Sequence, residues 1–413
     1  GLLAELNLKV NYVIDAKNTY TNILKTVNNH TFQISQLGDA FNSIESQGKE
    51  FEGLFDDYDL YSKRLGSTAQ KQSDTISGVL SAIGKLEIVK TPGDTLGDAY
   101  EYLIGQFASE SGKKAGEFYT PQQVSELLTR LTLVNKDYTD GMTVYDPTMG
   151  SGSLLLNFRK YVERSERITY FGQEINTSTY NLARMNMILH HVDIVNQKLR
   201  NGDTLDEDWP IEEITNFDAV VMNPPYSYKW SANAGFKDDP RFSAYGVLPP
   251  KSKADYAFLL HGYYHLKHSG VMAIVLPHGI LFRGAAEGKI RKKLLENGAI
   301  DAVIGLPANL FYNTSIPTTI VVLKKDKQDR DVLFIDASKD FRKVKTQNEL
   351  RDEDVEKILT TYKERKDIDK YAHLASFDEI KENEFNLNIP RYVDTFEPEP
   401  EINLDEVSKE LRE

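Results

Sequence analysis

The chain has 413 residues, with 49 Lys+Arg against 62 Asp+Glu and a net charge of −13. That length exceeds what one hydrophobic core usually supports, so at least two domains are expected. A 40% hydrophobic and 27% charged composition excludes a collagen-like, disordered or membrane-spanning chain, and no apolar run reaches the roughly 20 residues a transmembrane helix needs. With no cysteine at all, disulfides, thiolate metal sites and cysteine nucleophiles are excluded. The start at Gly1-Leu2-Leu3 carries neither an initiator Met nor a signal pattern, and is read as a trimmed cytoplasmic chain.

Residues 1–90 are expected to form a helical domain. Ile34, Leu37, Phe41 and Ile44, then Ile76, Val79, Leu80 and Ile83, recur at three- and four-residue steps. Thr91-Pro92-Gly93-Asp94 punctuates its end. A new helix is predicted with Leu96, Ala99, Leu103 and Phe107 on one face. From Thr143 onward, short β-branched runs (143–145, 168–171, 217–222, 271–276, 302–304 and 319–323) alternate with helical stretches, which predicts a mostly parallel sheet covered on both faces. Leu182, Met185 and Ile188 mark the apolar side of the helix after the second strand. The domain carrying this sheet is placed at 91–343, and residues 344–413 are read as a charged helical C-terminal extension.

Val144 to Leu156 reads as a strand ending at Asp146, a small-residue turn (Gly150, Ser151, Gly152, Ser153) and an apolar helix. Glycines here let the backbone approach a ligand closely, although Leu155 breaks the G-x-G-x-x-G dinucleotide pattern. Glu174 falls 22 residues past Gly152 at a strand end, where a carboxylate accepts hydrogen bonds from both hydroxyls of a ribose. Asp203, after the third strand, is placed to accept a proton from an adenine amino group. Alone, each acid is more often a solvated loop residue; three strand ends in series favour a nucleoside-containing cofactor.

Phe217 to Tyr226 runs an apolar strand into Asn223-Pro224-Pro225-Tyr226. The two prolines fix φ and end the strand rigidly. The Asn223 side-chain oxygen and the Pro224 carbonyl can both accept from one NH2, and Tyr226 offers a face for a planar group. His261, His265 and His268 stand at i, i+4 and i+7, but the neighbouring apolar residues favour a packed helix over a metal site; no metal is expected.

These segments resemble the amino-methyltransferases that use S-adenosyl-L-methionine, and more closely the modification (M) subunit of type I restriction-modification systems. The resemblance rests on Gly116-Glu117-Phe118-Tyr119-Thr120-Pro121, on Asp146 to Ser153 and on Asn223 to Tyr226, with Phe311 to Thr318 and Asn388 to Tyr392 as later blocks. One departure is Met149-Gly150-Ser151, where relatives often carry Ala and Gly. The resemblance implies an α/β fold: a Rossmann-like methyltransferase sheet behind an all-helical N-terminal domain. It implies that Glu117, Phe118, Tyr119, Thr120, Pro121 and Gln122 line the methionine end of the cofactor, with Asp146, Gly150, Ser151, Gly152 and Ser153 beneath it, Glu174 on the ribose and Asp203 at the adenine. Asn223 to Tyr226 would be catalytic, on the N6 amino group of a flipped adenine in double-stranded DNA, with Phe311 or Tyr312 against the other face of the base. The implied partners are a specificity (S) subunit, with two copies of this chain docked on each, and a restriction (R) subunit; the acidic charge fits a chain that leaves sequence reading to a partner. Two alternatives stay open: a protein-glutamine N5-methyltransferase, and a catalytically silent structural subunit.

Overall fold

The computed structural model describes residues 10, 12–86, 94–111, 119–212, 214–312, 314–345 and 347–396. The N-terminal helices Tyr20–Asn28, Ile34–Glu45 and Ala69–Lys85 close a small core of Ile23, Val27, Ile34, Ala40, Ile76 and Leu80. Val79 and Ile83, expected inward, are exposed, because the buried stripe of the third helix is only as wide as Gln72, Ile76 and Leu80.

The rest is built on a nine-stranded sheet: β1 Met142–Asp146, β2 Ile168–Glu174, β3 Gln197–Asn201, β4 Phe217–Met222, β5 Leu266–Pro277, β6 Ile300–Gly305, β7 Thr318–Lys324, β8 Val332–Asp336 and β11 Ala372–Ala375. The short hairpin β9 Arg342–Val344 and β10 Gln347–Glu349 stands apart. The sheet order is β11-β8-β6-β7-β5-β4-β1-β2-β3. Pairing is parallel from β5 through β4, β1 and β2 to β3, while β7 runs antiparallel between β5 and β6. Central strands such as β4, β5 and β6 are buried on both faces, as a covered sheet requires. Two apolar layers result, one on each side.

The segment from 344 forms the expected helix, over Asp352–Glu364. It also supplies β11, antiparallel to β8, and its Val355, Ile358 and Tyr362 enter the sheet's core. To that extent it is part of the sheet domain and not a projecting extension.

Two predicted apolar faces are displaced. Helix Thr95–Ser111 buries Ile104 and Ala108 and exposes Leu96, Leu103 and Phe107. Gly97 is the reason: a Cβ there would stand 2.5 Å from the His190 ring, so the glycine side is the one that can approach. His190 lies between Asp94 (2.5 Å) and Glu101 (3.1 Å). Burial disfavours its charged form, yet the bonds from Glu101 and Asp94 outweigh that and raise its pKa. Helix Thr177–Leu189 buries Asn181, Arg184 and Asn186, and leaves Leu182, Met185 and Ile188 half-buried. Arg184 donates to the carbonyls of Glu50 and Glu52 (3.1 and 3.0 Å), and Ser178 and Asn181 donate to Asp57. The polar face holds the N-terminal block.

Candidate active site

The sheet reverses direction of travel between β1 and β4, the place where open α/β sheets bind ligands beyond their carboxyl ends. β1 stops at Asp146, β2 at Glu174, β3 just before Gly202-Asp203 and β4 just before Asn223. The loop from β6 to β7 opens on the same edge, carrying Phe311 and Tyr312 beside the Asn-Pro-Pro-Tyr corner.

A cavity of about 440 Å³ is lined by Glu174, Asp203 and Asn223 together with Asn176, Thr179, Tyr228 and Phe258. Glu174 accepts from the backbone N–H of Gly150 (3.1 Å) and of Asn176 (2.8 Å), which ties the glycine turn to the end of β2. Asp203 accepts from the Leu205 N–H at 2.9 Å. A lining that combines the carboxylates of Glu174 and Asp203 with the apolar Ile175, Pro225 and Phe258 suits a polar sugar joined to a planar base.

A smaller pocket joins Tyr119, Thr120, Asp146, Met149 to Ser151, Ser153 and Asn223. Gly152 (φ 79°) makes the turn that a side chain would strain. Met149 is buried because β2 offers Gly172 opposite it, where any Cβ would collide with the Met149 sulfur. Thus the unusual methionine fills a gap that a glycine leaves. Burial raises the Asp146 carboxyl to about 8, with repulsion from Glu174 adding to it and Thr148 hydrogen bonds opposing.

At the junction of both pockets, Asn223 Nδ2 donates to Thr120 Oγ1 (3.1 Å) and its Oδ1 accepts from the Tyr226 hydroxyl (2.7 Å). Desolvation raises the Tyr226 phenol well above its usual range, so it remains a donor at neutral pH. Phe311 stands edge-on to Tyr226, centroids 6.1 Å apart at 88°, whereas Tyr312 stacks on Tyr119 at 5.7 Å. Of the sequence-predicted residues, Glu117 and Phe118 lie outside the described residues. Tyr119 and Thr120 face the small pocket; Pro121 and Gln122 line a separate wide cleft, Gln122 donating to Asn157. Sequence reasoning missed Asn176, Thr179, Tyr228 and Phe258. Asn176 could have been found as the N-cap of its helix, accepting from Thr179 N–H.

The three histidines part company. His268 is exposed on β5, since the helix ends at Tyr264. His261 and His265 are buried, with His261 bonded to Tyr145 and Arg241 and His265 to Asp208 and the Thr215 carbonyl. Burial, with His265 and Arg241 nearby, depresses the His261 pKa well below its usual value. Arg241 reaches the same cluster, its Nη1 3.1 Å from His261 Nδ1 and its Nε 3.9 Å from Asp208 Oδ1.

Sheet order, a nucleoside-sized cavity at the strand ends and an amino-acceptor corner beside it define an S-adenosylmethionine-dependent methyltransferase fold. Family models match on both sides of residue 90: the HsdM N-terminal domain over residues 3–83 and N-6 DNA Methylase over residues 91–401. The chain is 39% identical to a type I restriction enzyme methylase subunit (MpnII) of Mycoplasma pneumoniae, over 95% of this chain and 77% of that one. It is 34% identical to the MjaVIII methylase subunit of Methanocaldococcus jannaschii, over 90% and 66%. The crystal structure of a type I restriction-modification methyltransferase subunit from Streptococcus thermophilus superposes with a TM-score of 0.92 at 61% identity, covering 95% of this chain and 84% of that one. The chain therefore belongs to the methylase subunits of type I restriction enzymes, adenine-specific N6 DNA methyltransferases. DNA, and not a protein glutamine, is the acceptor that this family implies.

Proposed function

We propose that this chain binds S-adenosylmethionine across the two joined pockets and presents a flipped adenine to it at Asn223. In this reading Glu174 holds the ribose and Asp203 the adenine of the cofactor, while Tyr119, Thr120, Asp146 and Gly150 to Ser153 hold its methionine end. When bound, the cofactor supplies an electrophilic methyl on a sulfonium. The chain's part is to prepare the nucleophile: Asn223 Oδ1 and the Pro224 carbonyl accept the two N6 hydrogens, which draws the nitrogen lone pair out of the ring. Tyr226 gives the base a stacking face, with Phe311 at its edge. Holding both reactants in line removes roughly 7–11 kcal/mol of barrier.

The observation that carries this reading is that Asn223 lines both pockets while its oxygen already accepts a donor at 2.7 Å. Asn223→Ala is expected to leave S-adenosylmethionine affinity within about twofold and to lower methyl transfer by about 100-fold or more. Calorimetry paired with tritium incorporation checks both, and an unchanged rate refutes the assignment.

The matches over 3–83 and 91–401 support a division near residue 90 between a helical block and the catalytic domain. We place the chain in the cytoplasm, in an assembly with a specificity subunit at two copies of this chain to one, and a restriction subunit in the larger complex. In support, among the described residues no helix is long and apolar enough to cross a membrane, and a relative of the same fold comes from a study of type I complex assembly. Purified chain alone methylating defined sites at full rate would refute the dependence.

A further inference from the structure

A second opening on the same edge shares Tyr119 and Phe311 with the sites assigned above and extends well beyond them. It is a cleft of about 1110 Å³ between helix Thr95–Ser111 and the β9–β10 hairpin, more than twice the size of the 440 Å³ cavity. Tyr119 lines both this cleft and the small pocket, so the two are adjacent. Its walls carry amides and aromatic rings, among them Gln106, Gln347, Tyr119 and Tyr312, together with Lys345 and with Glu349, whose charge is paired by Arg342.

The hairpin is also where charge changes sign. Lys339-Asp340-Phe341-Arg342-Lys343-Val344-Lys345 holds four basic residues and one acid in a chain whose net charge is −13. Two of the four are engaged: Arg342 pairs with Glu349 (3.0 Å) and Lys339 donates to the Thr395 carbonyl (3.1 Å). Lys343 and Lys345 are exposed, and neither has an ion pair among the described residues. The hairpin that bears them is fixed, because Asn348 donates from its backbone to Asn309 (2.9 Å) and from its side chain to Ala308 (2.8 Å). That same loop continues into Phe311, beside Tyr226. The backbone that carries the two lysines is therefore tied to the loop of the base site; Lys345 lines the cleft and Lys343 stands two residues before it, in β9.

We propose that this cleft receives the DNA strand adjoining the flipped nucleotide, with Lys343 and Lys345 contacting phosphates and the tyrosines and amides meeting unstacked bases. A strand that places one nucleotide at Tyr226 must leave the site through a neighbouring opening. A groove combining positive charge with aromatic faces is the way single strands are held without sequence reading, which suits a subunit that delegates recognition. The inference rests on the adenine-DNA reading above.

The test compares the assembled complex of this chain and its specificity subunit with the same complex carrying Lys343→Gln and Lys345→Gln. Affinity for the target duplex is measured by anisotropy from about 50 to 200 mM salt. Each lost phosphate contact should flatten the slope of log K against log salt by about 0.9, so about 1.8 for the pair, and weaken binding at least about tenfold near 0.1 M salt. S-adenosylmethionine affinity should not change. An unaltered slope and affinity overturns the proposal. So does failure of the variant to assemble with the specificity subunit while S-adenosylmethionine still binds, because the lip then serves a protein. A wild-type complex that transfers no methyl group to DNA would defeat the underlying reading instead.

Discussion

Tyr226→Phe separates the two parts of the Asn-Pro-Pro-Tyr corner. The phenol donates at 2.7 Å to Asn223 Oδ1, the atom assigned to accept the target amino group. The incoming base must displace this bond. A net hydrogen bond of this kind is worth about 0.5–1.5 kcal/mol, equivalent to a factor of about 2–13 in an equilibrium. Phenylalanine keeps the stacking face and the edge contact with Phe311 (6.1 Å, 88°), but vacates the acceptor. Tyr226→Phe should therefore lower KM for DNA by about fivefold, raise the fluorescence of a 2-aminopurine target on binding, and leave kcat within about twofold. Tyr226→Ala should act in the opposite direction, because it removes base stacking worth about 1–3 kcal/mol. If Tyr226→Phe instead lowers kcat more than tenfold with KM unchanged, the hydroxyl serves the chemistry and the reasoning fails.

Asp146, raised to about 8 mainly by burial, is neutral below that pH. Binding a cationic cofactor must then expel a proton, so S-adenosylmethionine affinity should rise between about pH 6 and 8, by up to about tenfold per unit, and level off above. Asp146→Asn should remove that rise, as titration calorimetry across the range will report; the apoprotein itself should lose stability over the window from about 4 to 8, where the unfolded carboxyl is ionised and the folded one still protonated. At Gly172, a new methyl group would collide with Met149 and stand 3.1 Å from Leu155. Gly172→Ala should cost about 1–3 kcal/mol in urea unfolding, with Met149→Ala in the same chain recovering part of it; no loss would show that the turn can move aside.

Much of the centre of this molecule could be read from its residues. Val220 and Val221 are apolar on both sides because β4 is covered on both faces, and the run into Asn223-Pro224-Pro225 announces where it ends. The rim was harder. β3 is the polar run Gln197 to Asn201 at the sheet edge, where charged side chains protect an unpaired strand and erase the apolar signal. β11 is only four residues long and has a single neighbour, β8. Periodicity also failed where a helix packs through something other than large apolar side chains. Gly97 meets His190, and Arg184 satisfies two distant carbonyls; neither residue type marks a buried face. Likewise, Asn223 and Tyr226 were legible as a motif, but their contact with each other and with Thr120 joins segments over 100 residues apart and exists only in the folded chain.

Helix Thr177–Leu189 begins at the cavity wall, where Asn176 and Thr179 line it, and two turns later grips the backbone at Glu50 and Glu52 through Arg184. One rigid rod thus has a ligand chamber at its head and an entire separate lobe hanging from its flank. The wall of the candidate cavity and the anchorage of the N-terminal helices are thus carried by one and the same helix.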